Sequence, residues 1–329
     1  MQSVFPAVYS TLCPNALAAL IEREYNLADV HCKLLVRGVG DSYLVSSANQ
    51  RYIIRVYRTT HRKLEQIEEE VKLLLELQVA GVSVSYPIPD QQGQVIQKLP
   101  AAEGERYAVL FSYAYGQVVR TMNPFQLQML GKEMALFHNV TMGKGADTVR
   151  WTFDLTYTLH RPLGLLNPVL EENSEGYAWL QSAVKQVEKK LNDLEYSLFP
   201  SGFCHFDFLP KNFHFDVDKV TLFDFDFMGY GCLVNDIMSF WQHLTLEVYT
   251  GRMQQAAADE AFDHFLNAYR QHRFLSDQEL AAIPYLSLGF WLFYMGFHTT
   301  HDQFYVFSNQ SQVKLYLDLL KHIAKTYWN

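Results

Sequence analysis

The second half of the chain contains the run Cys204-His205-Phe206-Asp207-Phe208-Leu209-Pro210-Lys211-Asn212, which continues through Phe213-His214-Phe215-Asp216-Val217 to Val220-Thr221-Leu222-Phe223-Asp224-Phe225-Asp226. Asp207 and Asn212 lie in a loop that contains Pro210, and two short β-prone segments follow this loop. Such segments predict a β-hairpin, with Asp216 and Asp218 as solvated residues at its tip. Because a hairpin brings its two ends together, the sequence predicts that the side-chain oxygens of Asn212 and Asp224 converge.

These polar residues suit the chemistry of phosphoryl transfer. Mg²⁺ binds to proteins through one or two carboxylate or amide oxygens and completes its shell with phosphates and water. Asn212 and Asp224 supply such a pair of ligands, which leaves the carboxylate of Asp207 free. A carboxylate beside the transferred phosphoryl group orients an acceptor hydroxyl and accepts its proton. We interpret the neighbouring His205 as a hydrogen-bonded structural residue.

The pattern H-x-D-x-x-x-x-N, followed by D-F-D on the next strand, resembles the aminoglycoside phosphotransferases, choline kinases and type II homoserine kinases. The likeness extends over most of the chain. The segment Tyr52–Arg58 is similar to the third strand of that family's N-lobe, and Phe225–Gly231 is similar to the segment after its metal ligand. Asn235-Asp236-Ile237 resembles the family's aspartate at the start of a helix.

This resemblance implies a role for each residue of the motif and a fold for the chain. It implies that Asp207 is the catalytic base, that Asn212 and Asp224 are metal ligands, and that Asp226 is an auxiliary, structural carboxylate. The implied fold is α+β and bilobal, like a protein kinase. A small N-lobe would contain an antiparallel five-stranded sheet and one long helix, and a larger, mainly helical C-lobe would contain the catalytic β-hairpin.

The periodicity of the first 112 residues predicts the same N-lobe. A leading helix is predicted from Asn15 to about Tyr25, and an amphipathic helix over residues 62–79. Five β-rich runs are predicted, with turns at residues 38–41 and 47–50. The strands begin near Lys33, Ser42, Tyr52, Gln94 and Ala108. We therefore divide the chain into a nucleotide-binding N-lobe at residues 1–112 and a catalytic, acceptor-binding C-lobe at residues 113–329.

Arg55 stands on the predicted third strand, where most kinases have lysine. Arginine stays charged and pairs with phosphate in bidentate geometry, although its reach differs from that of lysine. We predict that Arg55 binds phosphate and that Glu70, on the edge of the buried helix face, is its acidic partner. Glu69 is the alternative partner, and an ordinary surface ion pair is the alternative interpretation.

Two further segments are predicted to hold the nucleotide. Residues 37–42 loosely resemble the glycine-rich loop of kinases, in which backbone N–H groups cover the phosphates. Residues 111–115 are predicted to form the hinge that holds the adenine edge. The residues predicted to bind nucleotide in these segments are Gly40, Asp41, Ser42, Ser112, Tyr113 and Ala114.

The last third of the chain is aromatic and contains two histidines between residues 291 and 302. Core packing explains such a stretch, but the helices after the catalytic segment also wall the acceptor pocket in the implied fold. An aromatic wall near carboxylates favours an amine through cation–π attraction. The candidate acceptor contacts are Asp226, Tyr230, Trp241, Trp291, Tyr294 and His298.

Composition limits the partners. The formal net charge of -8 argues against nucleic acid or an anionic membrane surface, because both require clustered basic residues. The four cysteines form no paired motif, so we interpret them as reduced thiols. The N-terminus lacks the pattern of a signal peptide, and we expect no apolar segment of 18 residues, which predicts a cytoplasmic protein. We expect a monomer or a homodimer, and the sequence does not decide between them.

The sequence therefore predicts an ATP-dependent, Mg²⁺-requiring phosphotransferase that acts on the hydroxyl of a small metabolite. Homoserine, an amino alcohol, a sugar and an aminoglycoside remain open as acceptors. Two alternatives also remain open. One is a bacterial Ser/Thr protein kinase of the same fold, although no activation loop follows Asp226. The other is a nucleotide-binding pseudokinase, which the arginine at position 55 leaves possible.

Overall fold

The computed structural model describes residues 5–48 and 50–328, and the chain divides into two compact units. The first unit comprises the described residues up to Gly116 together with Thr221–Asp226. The second comprises Gln117–Val220 and the described residues from Phe227 onward. Asn49, which the sequence placed in a turn, lies outside the described residues. The predicted lobe boundary after residue 112 stays a prediction.

The first unit is built on an antiparallel five-stranded sheet in the order β1-β2-β3-β5-β4, which confirms the predicted sheet. Its helices and strands are, in chain order, α1 (Pro14–Tyr25), β1 (Val30–Arg37), β2 (Gly40–Ser47), β3 (Gln50–Tyr57), α2 (Leu64–Val79), β4 (Ile96–Ala101) and β5 (Gly104–Ser112).

The sheet forms because alternate residues of its central strands are apolar and face one core. Tyr43 and Val45 of β2 and Ile54 and Val56 of β3 are fully buried there. Helix α1 covers this face and inserts Ile21 into the same cluster. The apolar face of the sheet, made by every second strand residue, and the apolar face of α1 therefore pack together into one core.

A short segment from much later in the chain joins this unit. The backbone N–H of Ser85 donates to the carbonyl of Leu222 at 2.8 Å, and that of Leu222 donates to Ser83 at 2.8 Å. These bonds form a parallel bridge between Val84 and Leu222. The bridge brings Asp224, two residues further on, into the unit that contains β3.

The second unit is mainly helical. The elements from Gln117 onward are α3 (Pro124–Thr141), β6 (Trp151–Thr152), α4 (Arg161–Leu166), α5 (Ser174–Asp193), β7 (Ser201–Cys204), β8 (Phe213–Phe215), β9 (Val220–Leu222), β10 (Gly229–Cys232), α6 (Val234–Tyr249), α7 (Gln255–Arg270), α8 (Asp277–Thr299), α9 (Tyr305–Ser308) and α10 (Gln310–Tyr327). The last two residues of β9 belong to the first unit.

Two local features position the loop after β7. Strands β6, β10 and β7 form a small sheet in which Gly229 of β10 lies opposite Cys204 of β7. After the loop, a 3₁₀ turn spans Pro210–Asn212 and leads directly into β8. The backbone N–H of Asp216 donates to the carbonyl of Lys219 at 2.9 Å and closes the predicted turn. The segment from residue 204 to 212 is thus held at both ends.

Helix α8 corrects one sequence expectation. Among the described residues it is the one helix long and apolar enough to cross a membrane, and 67% of its apolar window is buried inside the protein. The helix is apolar on every side because α4, α5, α6 and α10 surround it. The expectation that no segment is apolar over 18 residues was therefore wrong at α8.

Candidate active site

The carboxylate of Asp207 is buried, with 3% of its side chain exposed, and its two oxygens differ in environment. Oδ2 accepts a hydrogen bond from Nδ2 of Asn212 at 2.8 Å and lies 2.8 Å from Nζ of Lys211. Oδ1 is buried and has no hydrogen-bond partner among the described residues. The 3₁₀ turn that contains Lys211 and Asn212 therefore fixes one oxygen and leaves the other as an unused acceptor.

Asp236, near the start of α6, holds the backbone of the same loop. Its Oδ2 accepts from the N–H of His205 at 2.8 Å, and its Oδ1 accepts from the N–H of Phe206 at 2.6 Å. Asp236 is fully buried, so these two charge-assisted bonds form in a low-dielectric interior. His205 is also buried, in agreement with its structural interpretation.

His138 of α3 extends this network. Its Nε2 lies 3.1 Å from Oδ2 of Asp236, and its Nδ1 lies 2.8 Å from the hydroxyl of Tyr269. Burial lowers the pKa of His138, although Asp236 acts in the opposite direction. Helix α7, which carries Tyr269, comes close to α3 at Gly131, where an added Cβ would lie 2.2 Å from the carbonyl oxygen of Phe265. Glycine at this position therefore permits the contact that sets the network.

The backbone at Phe206, just before Asp207, is strained. Its φ is +64°, a value that bulky residues rarely adopt. The ring of Phe206 stacks on that of Phe153 with a centroid distance of 3.7 Å and an interplanar angle of 7°. Stacking and the bond to Asp236 hold this conformation, which directs the Asp207 side chain.

In the first unit, Arg55 connects two aspartates. Its Nη1 donates to Oδ1 of Asp224 at 2.7 Å, and its Nη2 lies 3.0 Å from Oδ2 of Asp226. Burial opposes the charge of Arg55, but Asp226 and Asp224 outweigh burial and raise its pKa well above the usual value. Arg55 is therefore a permanent buried cation.

Asp226 is buried at the centre of a cluster of basic side chains. Nε2 of His61 lies 3.3 Å from its Oδ2, and Nε of Arg62 lies 3.4 Å from its Oδ1. Nη2 of Arg62 also donates to the main-chain carbonyl of Asp226. Although burial acts in the opposite direction, Arg55, Arg62 and His61 hold the pKa of Asp226 well below its usual range. These contacts support the predicted structural role of Asp226 and argue against its role as an acceptor contact.

Asp224 differs from Asp226 in exposure. Its side chain is 43% exposed, and its φ of +62° is a left-handed conformation that is uncommon outside glycine. Asn212 belongs to the other unit, so the predicted convergence of Asn212 and Asp224 stays a prediction. What the first unit provides is one accessible carboxylate held by a buried arginine.

Arg55 has stronger acidic partners than the predicted Glu70. Glu70 is buried, and its charge acts on Arg55, but less strongly than those of Asp226 and Asp224. The segment after β9 thus supplies the two closest ion pairs of Arg55, and Glu70 of α2 adds a weaker charge interaction. Sequence reasoning missed this because Asp224 follows Arg55 by 169 residues.

The predicted glycine-rich loop is shorter than expected. Strand β2 already begins at Gly40, so Asp41 and Ser42 are strand residues. The Asp41 carboxylate is buried between Arg58 at 3.6 Å and Arg106 at 3.4 Å, and it accepts a hydrogen bond from the Tyr9 hydroxyl. This side chain therefore stabilises the sheet instead of extending a phosphate loop.

The predicted hinge is partly occupied by internal bonds. The N–H of Ser112 donates to Tyr86 at 2.8 Å, and its carbonyl accepts from the Ser85 hydroxyl at 2.6 Å. The guanidinium of Arg51 lies 4.5 Å from the ring centroid of Tyr113. The backbone N–H and carbonyl of Ser112 are thus used by residues 85 and 86, and the prediction of an adenine contact is left to Tyr113 and Ala114.

The predicted acceptor residues separate into two groups. Both tryptophans pack against α10: the ring of Trp241 lies 5.0 Å from that of Tyr327, and Trp291 lies 5.2 Å from Tyr316. Nε1 of Trp291 also donates to Gln242 at 2.8 Å. These contacts favour the core-packing interpretation for Trp241 and Trp291.

Tyr294 and His298 are connected to the loop that carries Asp207. The ring of Tyr294 stacks on Phe206 at 6.4 Å and lies 6.2 Å from His298. Burial, followed by the charges of Lys211 and His301, lowers the pKa of His298 to about 4. Tyr230 lies in β10, where its carbonyl accepts from the N–H of Phe153 at 2.6 Å.

Several residues of the site were missed from the sequence. No sequence pattern indicated His138, His61 or Arg62 as residues of the site, because a lone histidine on a helix and a basic pair after a strand are common in proteins. Lys211 lies inside the quoted motif and was detectable, since position i+4 in a turn reaches back to Asp207.

The sequence pattern of the phosphotransferase enzyme family APH matches residues 31–275. The chain therefore belongs to that family and is an enzyme of the small-molecule kinase class.

Individual relatives agree with this assignment. The chain is 33% identical to a protein of Deinococcus radiodurans described as uncharacterized, with 89% of this chain and 84% of the relative covered. It is 26% identical to amicoumacin kinase of Bacillus subtilis, with 84% and 83% covered. The solved structure of amicoumacin kinase hAmiN in complex with AMP-PNP, Ca²⁺ and Ami has the same fold, with a TM-score of 0.74, 23% identity, and 95% and 94% covered.

Proposed function

We propose that this enzyme transfers the γ-phosphoryl group of ATP to the hydroxyl group of a small metabolite. The observation that carries the proposal is the asymmetry of Asp207: Oδ2 is fixed by Asn212 and Lys211, and Oδ1 is a buried acceptor without a partner. An acceptor hydroxyl that donates to Oδ1 satisfies this atom and is oriented for attack.

The reaction in this proposal is a direct displacement. The acceptor oxygen forms a bond to the γ-phosphorus while the bond from that phosphorus to the bridging oxygen of ADP breaks. Asp207 accepts the hydroxyl proton at Oδ1. The bonds from Asp236 to the His205 and Phe206 backbone keep that carboxylate in place.

Oxygen ligands in the chain fit a hard divalent cation. The Asp224 carboxylate is 43% exposed, and Nδ2 of Asn212 is used by Asp207, which leaves the Asn212 amide oxygen as a ligand. Within residues 5–48 and 50–328 there is no cluster of three His, Cys, Asp or Glu residues that suits a metal. The proposal therefore assigns Asn212 and Asp224 as ligands of Mg²⁺, an ion that takes its remaining ligands from substrate phosphates and neutralises their charge.

The proposal includes the cell compartment and the partners. All four cysteines are free thiols, which suits the cytoplasm, where ATP is available. The partners are a nucleotide and a small-molecule acceptor. The amicoumacin kinase structure, with its ATP analogue and divalent cation, supports this pairing.

The decisive experiment measures ADP release with Mg²⁺-ATP across homoserine, amino alcohols, sugars, aminoglycosides and a generic protein substrate. We expect turnover that depends on one class of small acceptor and falls about 10²- to 10⁴-fold in Asp207→Asn, because the base is removed. Asp218→Asn, the same change at an exposed hairpin residue, is the matched control. Turnover of the protein substrate alone, or nucleotide binding without any turnover, would overturn the proposal.

A further inference from the structure

Arg55 is held by both ends of its guanidinium fork. One terminal nitrogen bonds to the half-exposed Asp224 at 2.7 Å, and the other lies 3.0 Å from the buried Asp226. A guanidinium is planar and presents its donors in fixed directions, so one arginine can bridge two carboxylates. Nη1 therefore makes a hydrogen bond to Asp224, and Nη2 makes an ion pair with Asp226.

The two aspartates differ in how firmly they are fixed. Asp226 has 1% of its side chain exposed and is also bound by Arg62 and His61. Asp224 is exposed and lies in a strained left-handed conformation. The rigid end of the bridge is Asp226, and the end that needs support is Asp224.

The neighbouring strand leaves room for this arrangement. A Cβ added at Gly40 of β2 would lie 3.2 Å from Nε of Arg55, tighter than ordinary van der Waals contact. Glycine at position 40 thus accommodates the arginine side chain in the rotamer that reaches both aspartates.

From these contacts we propose that Arg55 is a positioning residue for the Asp224 carboxylate and that this task requires arginine, not lysine. The inference rests on the proposed function, in which Asp224 is a ligand of the nucleotide-bound cation. A lysine ammonium is a compact charge on a flexible stem and cannot present a planar fork to two carboxylates. Arg55→Lys restores the residue that most kinases have, yet it removes the bridge.

The test measures nucleotide affinity instead of turnover. AMP-PNP binding is followed by calorimetry in EDTA and in saturating Mg²⁺. The dissociation constant in EDTA divided by that in Mg²⁺, called the Mg²⁺ ratio, reports how much the cation strengthens binding. We expect Arg55→Lys to reduce this ratio by about 10- to 100-fold, the usual effect of losing a group that orients a metal ligand. Binding in EDTA should change less than about threefold, because the positive charge is retained.

Further variants make the result specific. In an Asp224→Asn background, Arg55→Lys should have no further effect on the ratio, since the two changes break one interaction. Arg23→Lys, at an exposed residue of α1, is the control and should leave the ratio unchanged. Gly40→Ala keeps the charge and crowds both Nε of Arg55 and the carbonyl oxygen of Val56, each 3.2 Å from the added Cβ. If Arg55→Lys does not fold, a lower Mg²⁺ ratio in Gly40→Ala, with an unchanged free energy of unfolding, supports the inference, and an unchanged ratio overturns it.

Two outcomes overturn the inference and separate it from the proposed function. If Arg55→Lys leaves the Mg²⁺ ratio unchanged, or weakens binding equally with and without Mg²⁺, Arg55 does not act through Asp224. Equal weakening identifies it as a phosphate ligand, and the kinase proposal then stands. If the wild-type enzyme does not bind AMP-PNP under either condition, the proposed function fails together with the inference.

Discussion

Nδ2 of Asn212 donates to Oδ2 of Asp207 at 2.8 Å, and the same nitrogen lies 2.8 Å from the main-chain carbonyl of Asp207. The amide therefore does two things at once: it closes the loop between the residues and it fixes one carboxylate oxygen. Its orientation follows from this contact, because the nitrogen faces Asp207 and the oxygen is directed elsewhere.

The first prediction concerns this amide. Asn212→Asp keeps an oxygen ligand but replaces the donor with a second carboxylate beside Asp207, so like charges replace a hydrogen bond. We expect kcat to fall by about 100-fold or more. Steady-state kinetics with the acceptor found in the panel checks this, with Asp218→Asn as the control. Unchanged kcat would show that the Asn212 donor is not needed.

Lys211 gives the second prediction. Its side chain is 61% exposed, and its ammonium lies 2.8 Å from the Asp207 carboxylate. Lys211→Met keeps the length of the side chain and removes the charge, and we expect kcat to fall about five- to tenfold, consistent with about 1 kcal/mol for a partly exposed pair. Lys219→Met, at an exposed hairpin residue, should have no effect. If kcat of Lys211→Met does not fall below that of Lys219→Met, the assigned contact between Lys211 and Asp207 is contradicted.

The third prediction concerns stability. Asp236 accepts from two backbone N–H groups and from His138 while fully buried. Asp236→Asn removes the charge and one acceptor, and we expect the free energy of unfolding to fall by about 3 kcal/mol. Urea unfolding measures the change, and Asp263→Asn on the exposed face of α7 is the control. A change below about 0.5 kcal/mol, typical of surface sites, would argue against the network.

The fourth prediction concerns pH. The pKa of His298 is lowered to about 4 in the folded protein by burial and by Lys211 and His301. Above the pKa of about 6.5 that the ring has in the unfolded chain, it is neutral in both states, and its protonation does not lower the free energy of unfolding. As the pH falls from there towards 4, the unfolded chain binds the proton first, so the folded protein loses up to about 3 kcal/mol at this site.

Thermal unfolding between pH 7 and pH 4 checks this behaviour. His298→Gln should flatten the decrease in melting temperature, whereas His31→Gln, at an exposed residue of β1, should leave the slope as it is. The pKa of His138 is also lowered by burial, so His138 adds to the decrease in melting temperature at low pH, and it does so equally in both variants. An unchanged slope in His298→Gln would show that this imidazole does not titrate differently on folding.

The sequence predicted those features whose parts lie close together in the chain. The five strands and α2 follow from alternating and helical apolar spacing, which is local. The cap of α3 is also a local feature: the side chain of Asn123 accepts from the N–H of Gln126, and Pro124 follows directly. The loop from Asp207 to Asn212 belongs to the same class, because five residues are few enough for spacing alone to bring both side chains together.

The tertiary structure decided the contacts between distant segments. Arg55 and Asp224 are 169 residues apart, and His138 and Asp236 are 98 residues apart. Residue spacing gives no information about such pairs, because they depend on which faces of separate elements are packed together. The sequence therefore determined the kinase motif and the sheet. Packing determined that Arg55 holds Asp224, that Glu70 is a weaker neighbour of Arg55, and that His138 supports the loop that carries Asp207 through Asp236.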